Sequence, residues 1–119
     1  MRNIVIIVLL VFLLSPYAGA DNTVAEIDYL LNSVGSSQCT FIRNGKRYSA
    51  EDAAAHLRSK YQRGKRFAST SENFIARLAS RSSVSKKPYY LECEGEDKMP
   101  SGDWLTLRLN EYRTAIAEM

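Results

Sequence analysis

Apolar positions recur along this chain with distinct periods, and each change of period marks an element. Ile4 to Leu14 is an unbroken run of eleven apolar residues, preceded by Arg2 and followed by the small residues Ala18-Gly19-Ala20. That is well short of the roughly 20 residues a bilayer-spanning helix needs. The run therefore predicts a secretory signal peptide, Met1 to Ala20, cut between Ala20 and Asp21. No membrane span is expected in the mature form, residues 21–119, and the first cysteine, Cys39, is too far from the cut to carry a lipid anchor. From about Thr23, the residues Val24, Ile27, Leu30, Leu31 and Val34 recur at three- and four-residue spacing, which predicts an amphipathic helix ending near Gly35. Cys39-Thr-Phe-Ile-Arg43 is rich in β-branched and aromatic residues and runs through Asn44-Gly45 into Lys46-Arg47-Tyr48. Asn-Gly suits a turn whose two central residues both need positive φ, so a two-stranded hairpin is predicted.

Ser49, with Asp52 three residues on, resembles a capping box and opens a second helix with the stripe Ala53, Ala54, Leu57 and Tyr61, stopping around Gly64. Thr70 or Ser69 caps a third helix whose buried stripe is Phe74, Ile75, Leu78 and Ala79. A serine-rich loop, Ser80 to Ser85, follows. Pro88 biases Lys87 toward extended geometry. Tyr89 to Cys93 then alternates, with Tyr89, Leu91 and Cys93 on one face and Tyr90, Glu92 and Glu94 on the other, which predicts a third strand. Gly95 to Gly102 reads as an acidic, turn-forming loop. Ser101 is the expected cap of a last helix carrying Trp104, Leu105, Leu109, Tyr112 and Ile116, with Trp104 and Tyr112 as core anchors. The order α-β-β-α-α-β-α predicts an α+β domain in which a three-stranded, mostly antiparallel sheet is covered on one face by about four helices.

Composition adds a staple and a compartment. Removing the first twenty residues takes away one cation and no acid, so the formal charge falls from +3 to +2 on a single small domain. A domain of that size has a thin stability margin. The chain's two cysteines, Cys39 and Cys93, both fall in the mature part, on apolar faces of predicted strands. In an oxidising compartment an even count predicts the bond Cys39–Cys93, with free buried thiols as the alternative. Two thiols and one histidine lack a fourth ligand and any CxxC spacing, so no metal site is expected.

Five features together carry a resemblance: Phe41-Ile-Arg-Asn-Gly45; Ala55-His-Leu-Arg58 with Lys60; Thr70 with Phe74-Ile75; Ser80 to Ser85 before Pro88-Tyr89; and Trp104-Leu105. The chain resembles the YfeK-like family of small exported proteobacterial proteins over nearly its whole mature length. The resemblance implies a periplasmic address and no reaction. Many members of that family carry glycine after the last serine of the loop where this chain has Lys86, which questions any conformation needing positive φ there.

Candidate chemistry is sparse. The only histidine, His56, flanks the apolar stripe of the second helix, with Asp52 one turn before it and Lys60 one turn after. The Asp52–His56 spacing allows an orienting contact, and a loop serine would complete a Ser-His-Asp set. Against that stands the ordinary reading of a helix-flank histidine bonded to a carboxylate or carbonyl. Ser83-Val-Ser-Lys86 matches the Ser-x-x-Lys motif of penicillin-recognising enzymes. With thirteen serines and six lysines in the chain such a match arises by chance, and the motif should open a helix, whereas here it runs toward Pro88. The basic cluster Arg58, Lys60, Arg63, Lys65 and Arg66, with Arg43, Lys46 and Arg47 on the hairpin, reads either as a solvated face or as an anion-contacting patch. Net charge is too modest for nucleic acid.

The expectation is a periplasmic, disulfide-stapled binding or interaction module with no catalysis, no cofactor and no metal. Its expected partner is an envelope protein or an anionic envelope molecule, contacted through Arg43, His56, Arg58, Lys60, Ser83 and Ser85. The alternatives are a small serine hydrolase using His56 with a loop serine, and an inhibitor of a cell-wall-degrading enzyme.

Overall fold

A computed structural model describes residues 22–119, so the expected signal peptide and its expected cut between Ala20 and Asp21 lie outside the described residues. The chain forms α1 (Asn22–Ser36), the hairpin β1 (Thr40–Arg43) and β2 (Lys46–Tyr48), and α2 (Ala50–Arg63). It continues through α3 (Ser71–Phe74), β3 (Tyr90–Glu92), β4 (Met99–Pro100) and α4 (Ser101–Ala117). The Asn44-Gly45 turn has positive φ at both residues, 52° and 78°, as the hairpin reading requires. Ser49 caps α2 by accepting from the Asp52 amide, and Gly64 closes it.

The sheet has four strands in the order β2-β1-β3-β4, all antiparallel, where three were expected. The extra strand is the two-residue β4, paired Tyr90 with Pro100 and Leu91 with Met99. It falls inside the segment read as a loop because two residues, one of them proline, carry no alternation, and proline is tolerated only at such an edge. Alternation decides the faces. Phe41 and Leu91 are opposite each other in register and only 1% and 2% exposed, whereas their neighbours Ile42, Tyr90 and Glu92 are half-exposed on the uncovered face. The register that pairs Thr40 with Glu92 brings Cys39 opposite Cys93 one step further, and the two are disulfide-bonded with Cα atoms 4.2 Å apart. The staple therefore closes the β1–β3 ladder at its open end.

Three helical expectations need correcting. In α1, Val24 is exposed and Glu26 is buried in its place. Glu26 accepts from Ser71 Oγ (2.6 Å) and from Arg113 Nε and Nη2 (2.8 and 2.9 Å), and Arg113 Nη1 also donates to Glu72 (2.7 Å). A carboxylate so partnered can be taken out of water at modest cost, and this network joins α1, α3 and α4. The Arg113 hydrogen bonds outweigh the opposing effect of burial and hold the Glu26 pKa below the usual carboxylate range.

The third helix is not regular: α3 passes into a π-type turn over Ile75–Ala79, closed by Ser80 Oγ donating to the Ile75 carbonyl (2.6 Å). The widened turn lets Phe74, Ile75, Leu78 and Ala79 all face inward. Ser101 does not cap α4. Its hydroxyl is fully buried and donates to the Ala79 carbonyl (2.8 Å), while its amide donates to Tyr89 O, which locks the start of α4 to the end of the π turn and to the entry of β3. Along α4, Trp104, Leu105 and Leu109 are buried, Tyr112 stacks on Tyr29 with ring centroids 4.6 Å apart, and Ile116 is exposed.

Candidate functional site

His56, Lys60 and Arg63 stand at i, i+4 and i+7 on α2 and form one stripe. β1 brings Arg43 to the same region, and the entry to β3 supplies Tyr89. Tyr89 is 1% exposed and Lys60 only 8%, an unusual burial for an ammonium. Lys60 Nζ donates to the Arg81 carbonyl and to the Tyr89 hydroxyl, both at 3.1 Å, and His56 Nε2 lies 3.3 Å from that hydroxyl. An ammonium can only donate, so the Tyr89 oxygen accepts from Lys60 and its own proton is free to go to His56 Nε2. The histidine is then neutral, with its proton on Nδ1. Arg43 Nη2 donates to the Tyr48 hydroxyl (3.1 Å) at the rim.

The electrostatics are one-sided. Arg43, His56, Lys60 and Arg63 have no carboxylate partner among the described residues. Burial, and then the repulsion of Arg43 and Arg63, pushes the Lys60 pKa down to about 8. Burial likewise lowers His56, with Arg43, Lys60 and Arg63 adding to it. Burial also raises the Tyr89 phenol. The result is a recess in which a cation is held at a cost and a histidine is kept neutral. Replacing Tyr89 by phenylalanine is expected to lower stability by about 1–2 kcal/mol, because Lys60 keeps only the Arg81 carbonyl. Denaturant unfolding at neutral pH measures this, and an unchanged midpoint would show that the hydroxyl is not holding Lys60.

The structure thus brings together Arg43, His56 and Lys60 of the expected contact residues and separates the others. Arg58 points toward α1, donating to Asp28 (3.3 Å) and Asn32 (3.1 Å). Ser83 is exposed, and Ser85 Oγ donates to Asn44 Oδ1 (2.6 Å), tying the serine-rich loop to the hairpin turn. Neither a serine nor Asp52 is hydrogen-bonded to His56 among the described residues. Ser83 to Lys86 lies in a turn rather than at a helix start. Two contributions to the recess carry no signal in the sequence: the Tyr89 hydroxyl, on a residue that alternation assigns to an apolar face, and the Arg81 carbonyl, which no side-chain pattern encodes. Elsewhere, a cavity of about 480 Å³ lies between α1, α3 and α4, but its carboxylates, Glu26 and Glu72, are both engaged by Arg113.

Fold and recess define a small α+β domain, stapled by one disulfide, with no group of three or more metal-ligating side chains among the described residues. Residues 21–113 match the family described as "Family of unknown function (DUF5329)", and the chain belongs to it. It is also 39% identical over 66 residues to the "Uncharacterized protein YfeK" of Salmonella typhimurium. That match covers 55% of each protein, so the chain spans about half the length of this relative. The YfeK-like resemblance read from the motifs is therefore shown. No solved structure matches.

Proposed function

We propose that the protein is a periplasmic, non-catalytic binding module that recognises an anionic group on an envelope partner through Arg43, His56, Lys60 and Arg63. The observation that carries this reading is the meeting of His56 and Lys60 at the Tyr89 hydroxyl, near enough to Arg43 and Arg63 to feel their charge and with no carboxylate among the four. Like charges gathered in a half-dry recess repel, so the arrangement costs stability, and an anion would relieve that repulsion while gaining charge-assisted hydrogen bonds. The disulfide supports an oxidising compartment, and the apolar N-terminal run supports export.

The test is in-cell crosslinking of the natively expressed, tagged protein, comparing wild type with Arg43→Glu and Arg58→Glu. A co-purifying partner is expected to be lost with Arg43→Glu and kept with Arg58→Glu, whose side chain is already engaged by α1. Loss with Arg58→Glu alone, or no partner in wild type, would overturn the reading.

A further inference from the structure

The loop between α3 and β3 is ordered in a way that its exposure does not require. Arg81 and Pro88 close its base as an antiparallel bridge. Within it, Ser82 N donates to Lys87 O (2.9 Å), Lys86 N donates to Ser82 O (3.0 Å), and the buried Ser82 Oγ accepts from the amides of Val84 (3.2 Å) and Ser85 (3.1 Å). Lys86 sits at φ +67°, in the left-handed region where a side chain costs about 1 kcal/mol. At the tip is Val84, a large apolar side chain left 93% exposed. Ser85 joins this loop to the Asn44-Gly45 turn, so both present at the same end of the sheet.

The two segments that meet at that end carry cations and no acid. There is no Asp or Glu between Asp28 and Glu51 or between Glu72 and Glu92, and the two segments carry Lys46 beside the hairpin turn and Arg81, Lys86 and Lys87 in the loop that presents Val84. None of the four is in an ion pair among the described residues. The acids Glu94 and Glu96 lie at the disulfide end beside Cys93, while Asp97 shares a shallow cavity with Arg47 and Gly45.

We propose that this tip docks on an anionic phospholipid surface, with Val84 entering the headgroup layer and Lys46, Arg81, Lys86 and Lys87 facing the phosphates. A discrete ligand needs concavity, and the tip is convex. The shallow cavity at the loop's base holds the carboxylate of Asp103 beside Arg81 and Lys86 and is unsuited to an anion. An ordered, exposed apolar apex in a lysine-bearing loop suits a plane instead, because it binds without ordering entropy and gains both apolar burial and attraction to lipid charge. This proposal rests on the export reading above but uses side chains outside the Arg43–Lys60 recess, which takes only the backbone carbonyl of Arg81.

The test is sedimentation of the exported, processed protein with phosphatidylglycerol-containing vesicles and with phosphatidylcholine vesicles. Binding to the anionic vesicles alone is expected. It should be weakened roughly tenfold or more by Lys46→Glu with Lys87→Glu and about fivefold by Val84→Ser. Lys86→Gly, which suits the backbone and removes one charge, should weaken it only about fivefold, and all these positions are exposed, so circular dichroism should show folded variants. Equal binding to both vesicle types, or anionic binding indifferent to these substitutions, would overturn the proposal. So would release by inorganic phosphate beyond that caused by sodium chloride of equal ionic strength, which would indicate an ion site. Arg43→Glu separates the two readings: it should abolish partner capture while leaving most vesicle binding intact.

Discussion

Replacing Cys39 and Cys93 together by alanine is expected to lower the unfolding free energy by about 4 kcal/mol, the loop-closure value for a sequence separation of 54 residues. Few small domains hold much more than twice that margin. The staple is effective because of what it joins. Cys39 and Cys93 are the next opposed pair after Thr40 and Glu92, so the bond continues the β1–β3 register. β1 is the inner strand that also carries the hairpin, and β3 is the inner strand that carries β4. Opening the bond releases the ladder that holds both halves of the sheet. In denaturant unfolding the midpoint should fall, and the m-value should rise because the uncrosslinked unfolded chain exposes more surface. A midpoint within error of wild type would show that the ladder and helices hold the sheet without the staple.

The second large effect is a dependence of stability on alkaline pH that a buried lysine imposes. Lys60 has a folded-state pKa of about 8 against 10.5 when unperturbed. Between those values the unfolded chain holds the proton and the folded chain does not, so unfolding takes up a proton and stability rises with pH. The full gain across the window is about 3 kcal/mol, since each pKa unit corresponds to about 1.4 kcal/mol. Below the window the ammonium stays charged and the fold carries that penalty. His56, also lowered, adds the same sign at lower pH: stability rises as pH climbs through its depressed pKa toward 6.5 and falls on acidification. Glu26 adds to that acid loss, because its lowered pKa gives stability that disappears as its carboxylate is protonated. Tyr89 opposes the trend only above its unperturbed value of 10.0, where the unfolded phenol ionises first.

Unfolding of wild type and Lys60→Met at a series of pH values from neutral to just below 10 separates these contributions. Wild type should gain stability over this range and Lys60→Met should stay flat. Parallel curves would mean that Lys60 is hydrated and carries no penalty, which would remove the electrostatic basis of the recess. A penalty accepted at neutral pH, in a domain with little stability to spare, fits a group kept for binding rather than for folding.

The staple and the recess differ in how far they could be read from residues. Each cysteine's face followed from alternation along its own strand, and the hairpin followed from Asn44-Gly45, so the staple was legible. Both signals are local and periodic. The fourth strand was not legible, because Met99 and Pro100 become a strand only when β3 offers them a partner. The buried positions of α1 were misread at Val24 and Glu26 because hydrophobicity predicts burial only until a partner such as Arg113, far along the chain, makes a carboxylate less costly to bury than a valine.

The recess shows the same division. Sequence placed Arg43, His56 and Lys60 on the right elements, and the α2 spacing already put His56 and Lys60 one turn apart. It grouped Lys60 with Arg58 as one charged cluster, although the helix period sends them to different sides. Lys86 was the clearest local conflict, since a lysine stands at a left-handed position, and the structure holds it there with hydrogen bonds from the Lys86 amide to the Ser82 carbonyl and from the Lys87 amide to Ser85 Oγ. What the sequence alone determined is what neighbouring residues impose on one another: periods, turns, the N-cap of α2 and the faces of strands. Only the tertiary structure decided which cations stay in water and which is buried against Tyr89. Burial energy depends on partners brought together from distant parts of the chain, and no local pattern encodes them.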